Sequence, residues 1–176
     1  MALANYAKAC SKNTGGNSTF YIVESSKVAS ATVTAGEITA LTLTTGSVFF
    51  TVDFDQDTLI RTQEGTGSGD KISYVHRIEA MFSQLTVALN TFRDSLADES
   101  ACGLVAMVKD GNGTWWVVGY NETDLATRGL KMIQDNDTSG GAPADEDGGK
   151  ASIILESNSG FLDLPVNGTV TTSGVA

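Results

Sequence analysis

The chain has 176 residues, 41% of them hydrophobic, with 11 basic and 21 acidic side chains and a formal charge of −10. That length suits a single domain, residues 1–176, able to bury a core without staples. So acidic a chain, without clustered Lys and Arg, is not built to grip a nucleic-acid backbone, although an acidic wall lets a strand pass without sticking.

Residues 1–18 are small and polar and read as a loose N-terminal arm. They lack the basic start and continuous apolar stretch of a secretory signal, so the mature protein is expected to begin at or near Met1. Lys8 interrupts the approach to Cys10, which argues against a lipid anchor there. No apolar run approaches the roughly 20 residues that span a bilayer. Cys10 and Cys102 read as two reduced thiols, and a bridge between them depends on a distance that sequence does not give.

Strand patterns come next. Residues 20–24, FYIVE, are apolar and aromatic, and residues 37–44, EITALTLT, alternate Ile38, Ala40 and either Leu41 or Leu43 with threonines. Residues 47–55, SVFFTVDFD, put Val48, Phe50, Val52 and Phe54 on one face, the period of a half-buried strand. Residues 58–64, TLIRTQE, follow after Asp55-Gln56-Asp57, so a hairpin is expected between the two segments. Asp53, Asp55 and Asp57 then share one side of that hairpin. They read as a solvated acidic face rather than as a glycosidase carboxylate pair.

Residues 65–70, GTGSGD, read as a mobile loop; they carry neither G-x-G-x-x-G nor the Gly-Lys-Ser/Thr end of a phosphate cradle. A short strand, KISYV, follows. Ile78, Phe82, Leu85, Leu89, Phe92 and Leu96 are then spaced 4, 3, 4, 3, 4, which predicts one principal α-helix over residues 76–97, packed across a sheet. His76, the single histidine, falls at the start of this helix with no Cys or second His nearby, and reads as structural.

Residues 103–120, GLVAMVKDGNGTWWVVGY, form the clearest hairpin. Leu104, Ala106 and Val108 alternate on one arm, and Trp115 or Trp116 with Val117 and Val118 make the other. DGNG supplies the turn. LATRGLKMIQ reads as strand or short helix. KASIILES is β-branched and apolar, and GFLDLPVNG is a last short strand with Pro165 marking an edge or an end. Residues 168–176 are a C-terminal tail, loose or paired with a neighbour.

One stretch looks like a site. In DNDTSGGAPADEDGG, Asp135, Asp137, Ser139, Gly140 and Glu146 match a calcium-loop pattern position by position. Ala142 and Pro143 fall where such a loop must curl, and DGGKASIILE after Glu146 does not make the exiting helix. The segment therefore reads as an acidic connection between strands. No catalytic, cofactor-binding or metal-ligating residues are assigned, no cofactor is expected, and no constellation points to an enzyme.

The order LVAMVKDGNGTWWVVGY, RGLKMIQ, TSGGAPADEDGGKASIILE resembles the C-terminal half of tail-tube-type structural proteins of tailed bacteriophages. Hairpins, a Gly-rich loop and one amphipathic helix before the hairpin resemble the N-terminal half. The resemblance covers roughly residues 35–165 and rests on turn glycines and alternating apolar positions. It implies an antiparallel β-sandwich or partly closed barrel with one flanking helix, a β-rich α+β fold. It further implies a virion structural protein, made in the host bacterial cytoplasm, that self-assembles as a homo-oligomer. Rings, hexameric by resemblance, would stack into a hollow tail tube and meet other tail or neck proteins, while DNA passes the lumen without specific binding and no membrane is engaged. The helix, longer than in a typical tube subunit, keeps a neck, terminator or head decoration protein as an alternative. The calcium pattern keeps a calcium-dependent binding or adhesion module as another.

Overall fold

The computed structural model describes residues 19–55, 57–68, 71–83, 85–120, 128–139 and 149–170. The expected N-terminal arm, Cys10 and Glu146 lie outside them. In chain order the elements are β1 (Thr19–Glu24), a single 3-10 turn (Ser25–Lys27), β2 (Val28–Thr34), β3 (Glu37–Leu43), β4 (Phe50–Thr51), β5 (Ile60–Ser68), β6 (Lys71–Ser83), α1 (Val87–Ser100), β7 (Leu104–Lys109), β8 (Trp115–Val118), β9 (Lys131–Thr138), β10 (Lys150–Ser159) and β11 (Leu164–Val170). The fold is β-rich α+β, with two sheets and one α-helix among the described residues, as the sequence pattern predicts.

The larger sheet runs β2-β3-β11-β8-β7-β1-β4, and the smaller runs β5-β6-β10-β9. All pairings are antiparallel except β11 with β3. Strand β7 is buried on both faces, and this defines two cores. Its Leu104, Ala106 and Val108 meet Phe20 and Ile22 of β1, Ile78, Ala80 and Phe82 of β6, and Ala151, Ile153 and Leu155 of β10. That is the main core between the sheets, where each large aliphatic or aromatic side chain contributes about 1.5–3 kcal/mol.

Val105 and Met107 of β7 point the other way, into a second core with Val28 of β2, Ile38 and Leu41 of β3, Val117 of β8 and Phe49 just before β4. Residues from both ends of the seven-strand order thus line one interior, so the larger sheet is curled toward a barrel.

The helix begins later than its spacing predicts. Residues 76–83 belong to β6, and α1 starts at Val87, capped by Thr86, whose Oγ1 accepts from Leu89 N at 3.1 Å. Ile78 and Phe82 are four residues apart, and an interval of four satisfies both a period of 3.6 and a period of 2. Their true period is 2, since Ala80 between them is also buried in the main core. Leu89, Phe92 and Leu96 are helical and reach the same core, with Phe92 edge-on to Phe82 at 6.2 Å.

Four other expectations change. Segments 47–55 and 58–64 form no hairpin: β4 pairs with β1, β5 pairs with β6, and the chain crosses between sheets at Asp55 to Asp57. Phe50, Val52 and Phe54 do face the main core together, but Phe49 on the opposite face is buried in the second. The glycine stretch is strand as far as Ser68, paired out to Ser68 with Lys71. The tail is strand through Val170, pairing with β3 inside the chain. Pro165 is the second residue of β11, paired with Trp116 of β8 and lying before the β3 ladder begins at Val166.

Candidate functional site

Inward positions along the smaller sheet change character toward one end. On β6 they read Phe82, Ala80, Ile78 and then His76; on β10, cross-strand partners of these, they read Ala151, Ile153, Leu155 and then Ser157 and Ser159. On β5 the matching positions are Arg61 and Gln63. An apolar core thus ends in a polar layer, and a turn at residues 159–163 closes over it.

Asp163 is the centre of that layer. Arg61 Nη1 donates to its Oδ2 at 2.7 Å, and His76 Nδ1 lies 2.7 Å from its Oδ1, at contact distance but not aligned as a hydrogen bond. The side chains of His76 and Asp163 are 3% and 2% exposed. Asp163 N donates to Gln63 Oε1 at 3.0 Å, and Phe161 N donates to Ser159 Oγ at 3.0 Å. Asp163 is therefore held from behind by Arg61 and Gln63 of β5 and lies against His76 of β6, while Phe161 and Leu162 stay more than half exposed.

Arg61 also reaches the other sheet. Its guanidinium carbon lies 4.2 Å from the centroid of Trp116 on β8, and Trp116 Nε1 donates to Asp110 Oδ2 at 2.9 Å. Of the two tryptophans, Trp115 faces the second core, stacked on Tyr21 at 5.5 Å, and Trp116 faces this layer. The Asp110 carboxyl is held below its usual value, chiefly by the indole N–H, with burial opposing and the backbone N–H groups of Thr114 and Asn112 and the Arg61 charge assisting. Contacts from Asp110 through Trp116 and Arg61 to Asp163 thus link the two sheets.

A cavity of about 10 Å³ lies beneath the turn, lined by His76, Tyr120, Arg128, Ser157, Ser159 and Asp163 among others. It has room for about one water molecule and none for a substrate. His76 Nε2 and Ser157 Oγ are both buried there without a hydrogen bond. A Ser-His-Asp machine needs that hydroxyl bonded to Nε2 and a carbonyl alongside it; His76 and Ser157 are cross-strand partners that do not make the bond. The arrangement ties the 159–163 turn to β5 through Asp163. The expected structural role of His76 fits this place, but on a strand rather than at a helix start.

The two calcium-pattern aspartates that the structure describes are on β9, not in a curling loop. Asp137 pairs with Ala151 and Asp135 with Ile153, so both face the helix. Arg93 of α1, 8% exposed, donates from Nε to Asp135 at 2.6 Å and from Nη1 to Asp137 at 3.0 Å. Burial works to lower the Arg93 pKa, but these hydrogen bonds and charges together raise it. The carboxylates that would open a calcium loop thus bind a guanidinium. A bulge at Ile133, between the pairs Met132–Leu155 and Gln134–Ile154, turns Met132 inward and leaves Ile133 exposed.

Asp55 carries Ser83 on its Oδ2, and its N donates to Met81 O at 2.8 Å, tying the crossover to β6. Asp57 is exposed, with φ at +59°. Cys102 is exposed just after α1. Among the described residues no three His, Cys, Asp or Glu side chains gather as a metal group, and no helix is long and apolar enough to cross a membrane.

No family model, curated protein or solved structure matches the chain.

Sequence reasoning missed the polar layer because its members are far apart, Arg61 and Asp163 by 102 residues. The available signal was the change from apolar to polar at every second position of the strands at residues 76–82 and 151–159.

Proposed function

We propose that the chain is a virion structural subunit that self-assembles into stacked rings, forming the hollow tail tube of a bacteriophage through which DNA passes. The observation that carries the reading is the smaller sheet, whose two end strands are both long: β5 with nine residues and β9 with eight. Among the described residues β9 pairs with β10 alone and β5 with β6 alone. β9 is exposed along seven of its eight residues. Long open edges promote pairing with another chain, and a closed ring satisfies every edge.

The curled larger sheet and the single flanking helix agree with the architecture that the resemblance implies. On the outer face of the smaller sheet, Arg77 pairs with Glu156 at 2.9 Å near Glu64 and Glu79. Size-exclusion chromatography with light scattering tests the reading. A mass that is a multiple of the chain is expected at high concentration, and a strict monomer contradicts it.

A further inference from the structure

His76 and Ser157 stand directly opposite each other in the β6–β10 ladder, at the point where its inner side turns from apolar to polar. The two residues are 2% and 6% exposed. Directly opposed residues have Cβ atoms about 5 Å apart, close enough for a hydroxyl and an imidazole to share one small bridging group. They do not bond each other. His76 Nε2 and Ser157 Oγ are both buried, and neither meets a hydrogen-bond partner in the protein. Buried polar atoms are nearly always satisfied, by protein or by ordered water, and two unmet atoms on facing residues are costly.

The other ring nitrogen, Nδ1, lies 2.7 Å from Asp163 Oδ1, which turns Nε2 away from that carboxylate. His76 and Ser157 line the cavity of about 10 Å³ beneath the 159–163 turn, together with Tyr120, Ser159 and Asp163. A polar space of that size suits one water molecule and nothing larger.

We propose that this cavity is a binding site for a single water molecule, which bridges His76 Nε2 and Ser157 Oγ and so joins β6 to β10 beneath the turn. Water both donates and accepts. It therefore serves Nε2 whether that atom carries a proton or a lone pair, and it serves the rotating hydroxyl in either sense. An anion is disfavoured because Asp163 lines the same space. A metal ion lacks its ligand set, since among the described residues no three His, Cys, Asp or Glu side chains gather.

The bridge also positions the imidazole. Held at Nε2, the ring keeps Nδ1 against Asp163, the residue that fastens the turn to Arg61 and Gln63 of β5. A water closed in beneath the turn leaves only when the structure opens locally, so it is long-lived. The site is internal to one chain and independent of what the chain assembles into.

A crystal structure of the full chain, at a resolution that shows ordered solvent, tests the site without any variant. One solvent peak is expected at about 2.7–3.2 Å from both Nε2 and Oγ. An empty cavity, or a direct bond between Nε2 and Oγ, overturns the proposal. Magnetic relaxation dispersion of water gives a second reading in dilute solution, because it counts molecules that stay bound longer than the protein tumbles. Ser157→Val removes one partner and fills the space with methyl groups, and valine suits a strand. This variant is expected to lose one long-lived water per chain relative to wild type, and equal dispersion from the two proteins overturns the bridge.

Discussion

Replacing Arg93 by Ala tests how α1 is fastened to the open edge of the smaller sheet. Three bonds are lost: Nε to Asp135 at 2.6 Å, and Nη1 to Asp137 at 3.0 Å and to Asn90 at 3.3 Å. Breaking a fully buried ion pair costs about 3–5 kcal/mol because a charge is left unsolvated. Here the stranded carboxylates are 32% and 53% exposed and water reaches them, so the expected loss is smaller. Hydrogen bonds to charged groups contribute about 1.5–3 kcal/mol each when buried, and screening halves that or more.

Adding the packing of the arginine stem gives a loss of about 2 kcal/mol. For a chain of this size that is a fall in Tm of about 4–8 °C. Differential scanning calorimetry measures it, and Asp135→Asn combined with Arg93→Ala should be clearly less than additive. A Tm within 1 °C of wild type (a deliberately loose bound of about 0.3 kcal/mol) would refute the reasoning, as would full additivity.

Three further outcomes are expected. Gly119→Ala should abolish soluble protein or cost about 3 kcal/mol in urea unfolding, because φ is +81° and a Cβ would sit 2.6 Å from Leu104 O. Phe92→Ala, removing a ring packed against Phe82 in the main core, should cost about 3–5 kcal/mol by the same measurement. Asp110→Asn should destabilise the protein at neutral pH and progressively less in acid. A carboxyl whose folded pKa is depressed stabilises above its unfolded value, near about 4, and loses that contribution as pH falls through the folded value. Urea midpoints for the two proteins at pH 7 and pH 3 show whether the gap closes.

Local chemistry made much of the fold legible. The β7–β8 hairpin follows from DGNG, where Asp110 Oδ1 accepts from both Asn112 N and Thr114 N at 2.9 Å and Gly113 takes φ +89°. The buried stripe of Leu89, Phe92 and Leu96 was equally plain. The helix start was not, because Ile78 and Phe82 sit at an interval that strand and helix share.

Which sheet a strand joins was not legible either. Segments 47–55 and 58–64 look like neighbours, and only the core on each side of the Asp55–Asp57 crossover separates them. The calcium pattern failed as a guide because side-chain type and spacing ignore the partner: Asp135 and Asp137, two apart on a strand, face an arginine from the preceding helix. The polar layer around Asp163 depends on contacts across about 100 residues of chain, which no local pattern encodes.

The central claim is that this chain closes its open sheet edges against copies of itself. Negative-stain imaging of the concentrated full-length protein tests that most directly. Rings of uniform diameter, singly or stacked into tubes, are the predicted result. Fields of isolated particles the size of one chain, at every concentration, would contradict it.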